Sequence, residues 1–152
     1  MLQIIFDGGD HSLESIYRPA PYTRIGLRYR NLLNRKELGL SEECGWNELI
    51  NSDLLGILGV PSLAANVVGA SSEVEVGLAE VPGALVKLRH ALAETEDADD
   101  VYLIDADFFT TDQRGAEDVI GTLDSFHTTA GNLFRWVISD RLHAALDPSP
   151  IA

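Results

Sequence analysis

The chain of 152 residues contains one cysteine, Cys44. A lone thiol excludes an intrachain disulfide and a cysteine-based zinc site, and scarce cysteine fits a reducing compartment. Basic residues are also few, with 11 Lys and Arg against 24 Asp and Glu and a formal net charge of −13. Nucleic-acid binding depends on Lys and Arg neutralising phosphates. This balance argues against it, except through a local patch. No apolar run nears the roughly 20 residues of a membrane helix, which argues against membrane association. Residues 1–10 lack the basic region of a secretory leader, so the reading is cytoplasmic. There is no Walker loop, no G-x-G-x-x-G opening a helix after a strand and no G-x-S-x-G elbow. No internal repeat and no low-complexity tract interrupts the chain.

What is present is an ordinary globular composition, 45% hydrophobic and 23% charged. That supports one domain over residues 1–152 with its own core. The acidic excess serves solubility, and it also suits a basic protein partner.

The spacing predicts an α+β fold with an antiparallel meander of about four or five strands. Residues 2–6 read as a strand ending at Asp7-Gly8-Gly9-Asp10, and 1–21 form a short N-terminal strand and loop. Residues 22–34 read as a long strand, with Ile25, Leu27 and Tyr29 on one face and Arg24, Gly26, Arg28 and Arg30 on the other. Ser41 is an expected N-cap for a helix carrying Trp46, Leu49, Ile50, Leu54 and Leu58. Gly45 and Gly56 weaken that helix, and Gly59 with Pro61 stops it. Residues 65–78 look β-like. Residues 84–92, after Pro82-Gly83, fit either a hairpin return strand or a short helix. Residues 94–100 are an acidic loop. Residues 101–110 alternate well, with Tyr102, Ile104, Ala106 and Phe108 opposite Leu103, Asp105, Asp107 and Phe109. Apolar spacing from Val119 through Ile120, Leu123, Phe126, Ala130, Leu133, Phe134, Val137 and Ile138 to Leu142 predicts one helix over 116–146. At 1.5 Å per residue it would be about 45 Å long, longer than the sheet beneath it. Its uncovered end predicts a homodimer.

Three constellations could carry chemistry. Arg24, Arg28 and Arg30 share one side of the early strand, and Asp105 and Asp107 one side of the later; if the strands share a sheet with those faces together, they form a structural ion ladder or an arginine-lined anion site, and otherwise the strands never meet. Asp105 and Asp107, at i and i+2, could share a cation, but no further acids or histidines converge on them, so no metal is assigned. His127, beside the apolar stripe, reads first as a core-edge histidine hydrogen-bonded to a nearby acid; the alternative is a general base with Asp105 or Asp107 as its carboxylate. His11, His90 and His143 suggest no site, and no cofactor is expected.

The run Thr23-Arg24-Ile25-Gly26-Leu27-Arg28-Tyr29-Arg30-Asn31 is followed by Leu103-Ile104-Asp105-Ala106-Asp107, then by Leu123, His127, Phe134, Ser139, Asp140 and Leu142. Together these resemble a sporadically distributed family of uncharacterised bacterial proteins, with a TRIGLRYxNRI-like strand and a LDIDxF…LH…LF…ITDxLR-like end. The resemblance covers most of the chain from residue 23, and departs from the family pattern at Arg30 and Leu32-Leu33. Only about 22 residues precede the strand, so it implies the C-terminal half of such a protein, or a short form of it. It implies an α+β fold, a bacterial cytoplasmic setting in accessory gene neighbourhoods, and no activity. The leading expectation is a non-catalytic interaction module of accessory or defence type, antitoxin- or immunity-like. The alternative is an enzyme or binding protein for an anionic small molecule, using Arg24, Arg28, Arg30, Asp105, Asp107 and His127.

Overall fold

Five strands make one sheet in the order β1-β2-β5-β4-β3 in the computed structural model. The structure describes residues 2–7, 22–64, 66–94, 100–112 and 116–146. The acidic loop at 95–99, the Gly8-Gly9 turn, His11 and the C-terminal prolines lie outside them. The strands are β1 (Leu2–Asp7), β2 (Arg24–Asn34), β3 (Ala70–Gly77), β4 (Ala84–Glu94) and β5 (Asp100–Thr110). β1 pairs antiparallel with β2, from Leu2 opposite Tyr29 to Asp7 opposite Arg24. β2 and β5 also run antiparallel, because Arg24 meets Asp107 while Arg28 meets Asp105. The sheet is thus a β1–β2 hairpin joined through β2 and β5 to a β3–β4–β5 meander.

The long helix α4 (Ala116–Val137) packs on this sheet. The chain divides into two compact units, one of residues 1–31, 73–89 and 105–130, the other of 32–72, 90–104 and 131–152. In the first, Phe126 of α4 lies against Phe108 of β5, with ring centroids 6.1 Å apart. Both rings are fully buried with Ile25, Leu27, Val86, Leu88 and Ala106 around the same apolar layer. Burying a Phe of this kind contributes about 1.5–3 kcal/mol. Ile120 departs from the expected stripe and is exposed. The β3–β4 turn closes at Gly83, whose φ of +73° suits a residue without a Cβ, and Leu78 N donates to Ala84 O at 2.9 Å.

The second unit holds what was expected as one helix after Ser41. It is instead a chain of one-turn pieces: α1 (Trp46–Leu49), α2 (Ser52–Leu55), a 3₁₀ turn (Gly56–Gly59) and α3 (Pro61–Ala64). Gly45, Gly56, Gly59 and Pro61 punctuate it too often for a continuous helix to propagate. Ser41 caps a turn rather than a helix, its Oγ accepting from Glu43 N at 3.2 Å, and Cys44 is buried just ahead of α1. The predicted strand over 65–78 begins only at Ala70. Residues 84–92, read as strand or helix, are strand.

The single helix predicted over 116–146 is also corrected. α4 ends at Val137, and a separate α5 (Asp140–Ala145) follows. The break has a tertiary cause. Asn51 caps the end of α4 from outside, its N donating to Val137 O at 2.8 Å and its Nδ2 to Trp136 O at 3.0 Å. Ile138 N still donates to Phe134 O at 3.1 Å, and the residue bridges Ile50. Ser139 N donates to Leu49 O at 2.8 Å, and Ser139 Oγ accepts from Leu142 N to start α5. Val137, Ile138 and Leu142 are buried as a result. The residues Val137, Ile138 and Leu142, whose lack of cover was the motive for the dimer expectation, are covered within the described residues.

Candidate functional site

Strand alternation in the first unit separates the proposed catalytic residues. Arg24, Arg28 and Arg30 project from the face of β2 opposite Ile25, Leu27 and Tyr29. Arg28 makes a two-pronged contact with Asp105, Nε to Oδ1 at 2.8 Å and Nη2 to Oδ2 at 2.6 Å. Arg30 Nε lies 3.6 Å from the same carboxylate, and Arg24 Nη2 donates to Asp107 Oδ2 at 3.0 Å. Asp105 is buried while Arg30 is mostly exposed. The Arg28 guanidinium is held above its usual pKa, first by its hydrogen bond to Asp105 against the opposing effect of burial, then by the charges of Asp105 and Asp107. Gly26 makes room for the ladder, because a Cβ there would stand 2.7 Å from Arg24 Nη1 and 3.2 Å from Phe108 O. The Arg24 guanidinium uses that space to lie 4.9 Å over the ring of Phe109.

His127 is on the other side of the sheet, with the helix. Its Nδ1 shares a hydrogen bond of 2.7 Å with Tyr29 Oη, where a carboxylate was the anticipated partner. Tyr29 alternates with Arg28 and Arg30, so His127 cannot join Asp105 and Asp107 in one acid–base set. Burial raises the Tyr29 phenol above its usual pKa. The expected arginine–aspartate contacts form, and the three candidate catalytic groups do not converge. Among the described residues no cluster of three His, Cys, Asp or Glu could hold a metal.

The open face of the sheet continues past the ladder. Lys87 of β4 reaches Glu75 at 3.1 Å and Glu73 at 3.4 Å, both on β3. Those two carboxylates hold the Lys87 ammonium above its ordinary pKa, chiefly through its hydrogen bond to Glu75. Arg89, two residues on, falls on the same face by alternation. The columns therefore read basic on β2, acidic on β5, basic on β4 and acidic on β3.

A second group of residues, not singled out by the sequence, lies in the second unit. His90 Nδ1 shares a 2.7 Å hydrogen bond with Tyr102 Oη, and their rings stack at 6.0 Å. Trp46 lies 5.3 Å from Tyr102 on centroids, and Arg35 sits 4.8 Å over the indole. Burial lowers the His90 pKa and pushes that of Tyr102 up to about 12. The detectable signal was phase: His90 continues the alternation of Ala84, Val86 and Leu88, so it belongs to the buried face of β4.

Arg35 also organises the surface above this stack. Its Nη1 donates to Glu42 O at 3.1 Å and Cys44 O at 2.8 Å, tying the 41–44 turn over Trp46. Beside it is a groove of about 490 Å³ lined by Glu42, Glu43, Glu48, Trp46, Leu58, Pro61 and Val67, among others. The adjoining pieces, from the 3₁₀ turn to the residues after α3, expose Ile57, Val60, Leu63 and Val68, the last completely. No helix among the described residues is long and apolar enough to cross a membrane. No family model, curated protein or solved structure matches the chain. The bacterial-family resemblance rests on the residues quoted for it.

Proposed function

We propose that the chain is a non-catalytic protein-interaction module. Its partner engages the acidic groove and the aliphatic side chains beside it through a segment that is both basic and apolar. The carrying observation is the exposure of Ile57, Val60, Leu63 and Val68 within twelve consecutive positions, 57–68. Scattered exposed aliphatics are ordinary, whereas several on one short segment mark an association surface. Glu42 and Glu43 along the groove and the net charge of −13 favour a basic partner, while Glu48 there is already held by Arg141 and Arg35 also lines the groove. A neutralising antitoxin- or immunity-like role is the narrower form of this reading and draws on the same charge. The alternative, an anionic small-molecule site, draws less support. Its arginines Arg24 and Arg28 already hold carboxylates, and an incoming anion would have to displace Asp105 from a bidentate contact.

The test pairs the wild-type chain with an Ile57→Asp/Leu63→Asp double variant as baits in lysate of the source organism, reading both proteins and small molecules by mass spectrometry. The expected result is a basic protein held by the wild type, lost with the variant, and rebinding when purified. The same proteins on both baits, or an anionic metabolite released only from wild type and lost with Arg28→Ala, would overturn the reading.

A further inference from the structure

The outer edge of β3 carries a second, independent feature. β3 is the last strand in the sheet order, so among the described residues no strand pairs with its outer side. It is 8 residues long, with the sequence ASSEVEVG. An edge of that length with free backbone donors and acceptors is a template for another strand unless side chains guard it. Proline and lysine, two of the usual guards, are absent from Ala70–Gly77. The only charges there are Glu73 and Glu75, which admit some strands and reject others.

Both faces of the edge specify the strand it admits. On the open face the charge columns alternate from β2 to β3, and each inner acidic or basic column has opposite charge on its neighbours. Glu73 and Glu75 have Lys87 on the inner side, and the next place outward calls for a basic column. A carboxylate has lone pairs for more than one cation, and Asp105 already takes both Arg28 and Arg30. On the other face Val74 and Val76 are 44% and 49% exposed. They share that face with the buried Val86 and Leu88, since Glu73 and Glu75 share theirs with Lys87. An added strand would therefore find apolar surface on one side and carboxylates on the other.

We propose that the edge of β3 is a β-augmentation site for a partner protein's strand in which Lys or Arg alternates with aliphatic residues. A second copy of β3 is the wrong occupant. In an antiparallel pair centred on Val74, Glu73 of each copy would stand opposite Glu75 of the other, and like charges directly opposite are destabilising.

The probe is a capped peptide alternating Val and Lys, matched to the 8 residues of β3. Its binding to the whole chain is read by fluorescence anisotropy and by backbone amide shifts. The expected result is saturable binding below about 1 mM, with shifts centred on 70–77. A Glu73→Lys/Glu75→Lys chain should bind it about tenfold more weakly, from two lost cross-strand charge pairs, and should prefer a Val/Glu peptide. N-methylating the peptide amides on one edge should abolish binding, whereas the same change on its other edge should not. Ile57→Asp/Leu63→Asp should leave peptide binding unchanged, which separates failure of this site from failure of the groove. No saturation by about 1 mM, equal binding of both peptides, indifference to the charge reversal, or a chain dimerised through β3 would each overturn the proposal.

Discussion

The first unit's open sheet face and the second unit's helical segment solve opposite problems. On the sheet face Arg24, Arg28, Arg30 and Lys87 each have a carboxylate within 4 Å, and the apolar residues between them in β2 and β5 face the helix. In the segment 57–68, aliphatic side chains stand in solvent, and the nearby groove is lined by Glu42, Glu43 and Glu48 together with Arg35. A site built to bind an anion would leave its guanidiniums unmatched, and here the strand pairing that places them also satisfies them. An element built only for stability would bury Leu63 and Val68. The cluster that looks chemical in sequence is thus ion-paired within the sheet, and the exposed aliphatic segment sits where no catalytic motif was found.

The sharpest way to break this comparison is to remove one rung of the ladder. Arg28→Ala leaves the buried Asp105 with only Arg30 at 3.6 Å. Loss of a partner for a buried charge costs several kcal/mol when complete. Arg28 is itself 35% exposed and Arg30 remains, so the expected loss is nearer 1–3 kcal/mol. Lys87→Ala breaks only half-exposed pairs with Glu73 and Glu75 and should leave the melt almost unmoved. Urea melts of the two variants check this. Equal, small losses would return the arginines to the functional account.

A smaller effect tests how the second unit is closed. Asn51→Ala removes both the amide that caps Trp136 O and the carbonyl that accepts from Asp53 N. Ser139→Ala removes the cap of α5 and the donor to Glu48 O. Each should cost about 1 kcal/mol. If these contacts force the break, Asn51→Ala should also raise hydrogen-exchange protection near Ile138 and Ser139 as α4 extends. Unchanged protection there would assign the break to the local sequence instead.

Much of the sheet was legible because local pattern and tertiary role agree in it. Period-two alternation in β2 and β5, with opposite charges in matching phase, was enough to anticipate Arg28 against Asp105 or Asp107, and the structure pairs it with Asp105. The order of strands was less so, since nothing in either strand alone says that β2 lies beside β5 with β4 on the far side. In β4, Ala, Leu, Lys and Arg favour helix, and burial of Val86, Leu88 and His90 on one face overrides that preference. The helix break was illegible for another reason. The groups that end α4 come from Asn51 and Leu49, more than eighty residues earlier, while the apolar stripe runs on through the break. A Ser-Asp cap signature at Ser139-Asp140 was the one local clue. In the candidate site, residue types suggested which groups could meet, but a catalytic set also needs one face. Alternation places Tyr29, and with it His127, away from Arg28.

The subtlest prediction concerns the buried pair in the second unit. His90 is buried against Tyr102, and burial lowers its pKa from the ordinary 6.5. The unfolded chain therefore binds a proton at a pH where the folded chain still resists it. The stability tied to neutral His90 is fully present above about 6.5 and is lost as pH falls through that value towards the lower folded pKa. Tyr102 works in the opposite range: its phenol is raised to about 12, so its contribution is complete below 10.0 and is lost as pH climbs from there. A wild-type profile sums over every group of the chain, so it does not isolate the histidine. His90→Gln keeps a polar side chain near Tyr102 Oη without a group that titrates here. Subtracting its urea-melt profile from that of the wild type should leave a difference that is flat above about 6.5 and shrinks below it. A difference flat through the acid side would mean that His90 is protonated in the fold as readily as in the unfolded chain. The aromatic stack would then be an open, hydrated part of the second unit, next to the groove rather than beneath it.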